Sequence, residues 1–70
     1  MNALDIKYKT DYITLCDVGS VPKGTIVRRS KQDKYRVDDD EYSVVMHVKG
    51  SDRSTINWHW FEYDDVEEIK

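Results

Sequence analysis

The chain holds one cysteine, one proline and three glycines in 70 residues. A lone Cys16 excludes an internal disulfide and a thiolate zinc cluster. A domain of this length buries only about 60% of its unfolded surface, so without staples it depends on its core. No stretch approaches the ~20 apolar residues of a membrane span. The opening "MNALDIKYKTDY" has no apolar run of the kind a signal peptide needs. We therefore expect a soluble protein of a reducing, cytoplasmic compartment, with no membrane partner. Catalytic patterns are missing as well. There is no glycine-rich phosphate loop, no Ser–His–Asp order and no pair of carboxylates set for acid–base work. So short a chain also leaves little room for a walled pocket. The expectation is a protein that is not an enzyme and takes no cofactor.

Aromatic residues are plentiful by contrast: five Tyr, two Trp and one Phe. Such anchors argue for a packed domain despite 36% charged residues. The net charge of −3 is unevenly spread. Residues 23 to 36 carry six basic side chains against Asp33 alone, a net +5. Residues 38 to 41, "DDDE", carry −4, and residues 62 to 70 carry five acids against Lys70, again −4.

Apolar periodicity is mostly two, the signature of strands. "YITLCDV" (12 to 18), "TIVRR" (25 to 29) and "YRV" (35 to 37) read as strands. Pro22 and Gly24 punctuate the first gap. "DDDE" reads as a tight turn or a bulge. The clearest pair is "YSVVMHV" (42 to 48) with "TINWHWFEY" (55 to 63). Folding it about Asp52 sets Val48 opposite Ile56, Met46 opposite Trp58 and Val44 opposite Trp60. His47 and His59 then share a face, roughly 7–8 Å apart as diagonal neighbours. On "TIVRR", Thr25, Val27 and Arg29 take one face, and Ile26 and Arg28 the other. A helical turn over Tyr63 to Asp65 and a last strand "VEEI" complete the chain. The whole is one domain, residues 1–70, with residues 1–10 a loosely held N-terminal segment. Its fold class is all-β: a small, five-stranded, partly open barrel with a short helical turn before the last strand.

On these residues the chain resembles an SH3-like barrel, of the kind seen in short bacterial and phage-encoded proteins. "TLCDV" stands at the family's first strand, "SVPKGTIV" at the entry to its second, and "FEYDDVEEI" at its closing one-turn helix and last strand. Together they span most of residues 12 to 69. Family members that capture proline-rich peptides do so on tyrosines, a tryptophan and a proline. Here Cys16 stands where a first-strand tyrosine is expected. No tryptophan follows "SKQDK", and "EYDD" lacks the proline, although Tyr63 matches the tyrosine of that turn. The resemblance thus implies the fold more than the peptide ligand.

Each chemical feature has a plain reading. His47 and His59 lack a third ligand at a fixed spacing, so they read as half-exposed sheet residues rather than a metal or acid–base pair. "VDDDEY" has no glycine or ligand spacing for calcium. Cys16, within an apolar strand, reads as a small core residue. Two surfaces are left. The first is aromatic and acidic, built on Trp60, Phe61, Tyr63, Asp64 and Asp65, and suits a protein partner with a basic surface. It makes the chain a non-enzymatic, small acidic protein-binding module, such as a phage-encoded modulator or inhibitor of a host protein. The second is the basic hairpin of Arg28, Arg29, Lys31, Lys34 and Arg36, which makes nucleic acid the alternative partner. Pairing of the basic and acidic segments across the sheet is the simpler use of those charges. The oligomeric state and the more buried of Trp58 and Trp60 are left open.

Overall fold

A computed structural model describes residues 2–29, 39–50 and 58–69, with Trp58 described by its backbone alone. Five strands are formed among these residues: β1 (Asp11–Thr14), β2 (Ile26–Arg28), β3 (Val44–Val48), β4 (Trp58–Phe61) and β5 (Val66–Glu68). They make one antiparallel sheet in the order β4-β3-β2-β1-β5, curled into a half-barrel. The expected all-β, partly open barrel is thus the observed architecture. A 3-10 turn at Tyr63–Asp65 leads directly into β5, as the sequence predicts. The expected strand at residues 35 to 37 lies outside the described residues.

Alternation explains the core. Tyr12 and Thr14 of β1, Val27 of β2, Val44 and Met46 of β3, Phe61 of β4 and Val66 of β5 are all buried. Phe61, Met46, Val27 and Val44 have lost all contact with solvent. Burying an apolar side chain of this size contributes about 1.5–3 kcal/mol. β3 is buried on both faces over Val44 to His47, as an interior strand allows.

Three expectations are corrected. The first concerns the β3–β4 register, in which Val44 pairs with Phe61, Val45 with Trp60, Met46 with His59 and His47 with Trp58. This is one residue away from the expected pairing. A one-residue slip exchanges the two faces of a strand. Phe61 rather than Trp60 therefore enters the core, and His47 and His59 lie on opposite faces. His59 instead meets Phe61 edge to face and lies beside Gly19 and Ser20, its Nε2 3.5 Å from Ser20 Oγ. His47 is buried rather than half-exposed.

The second concerns the N-terminal segment, whose described residues pack against the sheet. Asn2 Oδ1 accepts the Leu4 N–H at 2.8 Å and caps a 3-10 turn at Ala3–Asp5. Ala3 and Ile6 are both in the core. The Ala3 N–H donates to Glu41 O, and the Lys7 N–H donates to the Tyr12 hydroxyl at 2.9 Å.

The third is the length of β1, which ends at Thr14 instead of running to Val18. The Thr14 hydroxyl donates to Pro22 O and accepts the Thr25 N–H, drawing the two ends of an excursion together. Within that excursion Val18 and Val21 exchange two backbone hydrogen bonds around Gly19, whose φ of 56° is the left-handed geometry such a turn requires. Leu15 leaves the strand, and its N–H reaches Asp65 O. Cys16 is consequently exposed, not a core residue.

Candidate protein-binding surface

The five residues expected to form one aromatic and acidic patch meet four different fates. Phe61 is fully buried and cannot touch a partner. Trp60 is 44% exposed, on the sheet face opposite Phe61 and beside Val45. Asp65 is occupied locally. Its Oδ2 accepts the Glu62 N–H at 2.9 Å and so secures the start of the 3-10 turn. Its Oδ1 accepts a hydrogen bond from Cys16 Sγ at 3.4 Å. That bond raises the Cys16 pKa above the ordinary thiol value, and desolvation and the charges of Asp65, Asp17 and Glu62 push the same way. Cys16 is thus held as a thiol, a poor nucleophile. Only Tyr63 and Asp64 stay together at a surface site.

Tyr63 and Asp64 line a cleft of about 170 Å3 with Glu41, Tyr42 and Glu62. Two elements place these residues. The 3-10 turn after β4 exposes Asp64 and leaves Tyr63 half-buried, packed against the core, to which Val66 returns. The turn before β3 supplies the other wall. There Asp40 Oδ1 accepts the Tyr42 and Ser43 N–H groups, at 2.8 and 3.0 Å, and the Asp40 N–H donates to Ser43 O. This tight Asx-type turn leaves Tyr42 71% exposed. Residues 40–43 therefore form a turn. Glu41, Glu62 and Asp64 form no ion pair with a described basic residue, so the cleft has two aromatic walls and three carboxylates without a described counter-charge.

Sequence reasoning missed Glu41, Tyr42 and Glu62. Tyr42 has the parity of Val44 and Met46, which pointed it toward the core. The signal against that reading was its place inside the acidic turn, before the strand begins.

The basic hairpin is only partly described. Lys31, Lys34 and Arg36 lie outside the described residues. Arg28 Nε is 2.9 Å from Asp11 Oδ1, and its Nη2 donates to Lys9 O. Lys49 Nζ reaches the other oxygen of Asp11 at 2.6 Å. Arg29 is 4% exposed. Its guanidinium donates to Ile6 O at 2.8 Å and to Asp39 Oδ2 at 3.0 Å, and lies 4.1 Å from the centroid of the Tyr8 ring. Asp39 Oδ1 meanwhile accepts the Val45 N–H. Arg29 and Asp39 thus pair the basic and acidic segments inside the protein, whereas Arg28 pairs with Asp11 of β1, outside both acidic segments.

Among the described residues, no group of three or more His, Cys, Asp and Glu could hold a metal ion. No helix among them is long and apolar enough to cross a membrane. No family model matches the chain, and the searches of curated proteins and solved structures found no similar protein.

Proposed function

We propose that the chain is a non-enzymatic, SH3-like protein-binding module that docks a basic surface of its partner on the cleft between Tyr42 and Tyr63. One observation carries this reading: two tyrosines and three carboxylates without described counter-charges converge on one small concavity. Tyrosine supplies apolar area with a polar tip, and acids around it speed the encounter with a positive partner. The partner class is a protein whose activity is modulated by having its basic face covered, such as the host target of a small phage-encoded protein. Trp60 does not line this cleft. Nucleic acid is the weaker reading, since Arg29 is enclosed and Arg28 shares Asp11 with Lys49.

The test is affinity capture from lysate after nuclease treatment, comparing the native chain with Glu62→Lys combined with Asp64→Lys. Both positions are on the surface, so the fold should persist, as amide spectra will check. Loss of a captured protein, and capture by the native chain that weakens with salt, are expected. Unchanged capture by the double variant, or capture abolished by nuclease, would remove the reading.

A further inference from the structure

Tyr63 lines a second cleft, of about 220 Å3, on the N-terminal side of the C-terminal turn. Asp5, Glu67 and Glu68 are among its walls, and the core residues Ile6 and Val66 lie at its base beside Tyr63. Two small concavities thus share one tyrosine, and six carboxylates border them. Pockets for drug-sized ligands run to roughly 300–1,000 Å3, so each cleft is too small for one. Each suits a single long side chain. The six acids do not converge as metal ligands do, since no set of three among the described residues could hold a metal. Spread charges of this kind match separate cations on one extended partner.

One such cation is already present. Lys7 lines the second cleft, 64% exposed, with Nζ 3.2 Å from Glu68 Oε1. It shows an ammonium resting on this acidic surface. The first cleft holds no described cation.

We propose that the two clefts receive two basic side chains of one partner segment, astride Tyr63, and that Lys7 competes for the second position. This deepens the docking reading and rests on it. A lysine or arginine stem would lie along Ile6, Val66 and the tyrosine rings, with its charged head at the carboxylates. Lys7 is held by one exposed ion pair, an interaction weak enough to be displaced.

The experiment is an NMR titration of the full chain with end-blocked peptides. They carry one lysine, or two lysines separated by one, two or three alanines. At the best spacing, two lysines should bind about tenfold tighter than one. Tyr63→Leu should remove most of that gain. Lys7→Gln should tighten the two-lysine peptide a few-fold and leave the one-lysine peptide nearly unchanged, while Lys9→Gln, with the same change of charge, should not. Lys7→Gln is a surface change, so it keeps the idea testable if Tyr63→Leu fails to fold. Equal affinity for one and two lysines at every spacing would overturn the proposal, as would equal effects of Lys7→Gln and Lys9→Gln. Calcium alone shifting the same resonances would overturn it too. If the Glu62 and Asp64 reversal abolishes protein capture while one and two lysines bind alike, docking at the cleft stands and the two-cation arrangement falls. If that reversal leaves capture intact, both fall.

Discussion

Two acidic stretches of the chain are used in opposite ways. In residues 39–41, Asp39 and Asp40 turn inward to the chain: five hydrogen bonds reach their side chains or the Asp40 backbone, from Arg29, Val45, Tyr42, Ser43 and the Asp40–Ser43 turn itself. In residues 62–68, Asp65 and Glu62 share a capping box and Glu68 pairs with Lys7, while Asp64 and Glu67 border open clefts. The difference is one of surroundings. Asp39 sits where β3 begins and where the guanidinium of Arg29 needs a buried counter-charge. A buried cation without a partner costs several kcal/mol, so the acid beside it is structural. The C-terminal acids flank a one-turn helix on the rim of the barrel, with no described guanidinium among them.

The largest effects should come from the inward set. Asp39→Ala leaves Arg29 buried without its counter-charge and the Val45 N–H without its acceptor. A loss of about 3–5 kcal/mol in denaturant unfolding is expected. Glu41→Ala, two residues on, should stay within about 0.5 kcal/mol. Equal losses for the two would erase the contrast between inward and outward acids. Phe61→Ala should cost a similar ~3–5 kcal/mol, as ring truncation in a core does. Trp60→Ala, on the other face and half exposed, should cost roughly 1 kcal/mol or less. The reverse order would restore the register in which the tryptophans line the core.

Smaller effects sharpen the same contrast. Glu62→Lys with Asp64→Lys should leave unfolding within about 1 kcal/mol while changing capture of a basic protein. A large loss of stability would place these acids with Asp39. Cys16 reports on Asp65 directly. Its pKa is raised in the folded chain, so its stabilising thiol–carboxylate bond is complete below the unfolded thiol pKa and is lost as pH rises through the folded value. Alkylation near neutral pH should be slower than for an unfolded peptide and should speed up in Asp65→Asn. Identical rates in the native chain and the variant would show that Asp65 does not hold the thiol.

Much of the molecule was legible along the chain. Period-two apolar patterns named the sheet, and the break at "EYDD" followed by Val66 located the 3-10 turn and last strand, because both signals are local. The alternation of "TIVRR" also put Val27 and Arg29 on one face, and the structure shows that both are buried. The candidate site was legible only at Tyr63 and Asp64. Glu41 and Tyr42 join them from about twenty residues away, through the pairing of β3 with β4, and no local pattern encodes that approach.

What the sequence determined by itself, then, is the class of fold, the 3-10 turn before the last strand and the uneven spread of charge, since each follows from a few neighbouring residues. Tertiary structure decided the rest. In "WHWF" three rings compete for the core, and the two faces differ by a single step of register. Phe61 won that place because its pairing with Val44 sets it, fully buried, among Val27, Met46 and Val66. The same step left Trp60 outside and separated the two histidines. Arg29 changed from a prospective phosphate ligand to an internal tie only when residues 4, 6 and 39 closed around it. Local preference carries no information about such meetings, because their energy exists only once distant segments have come together.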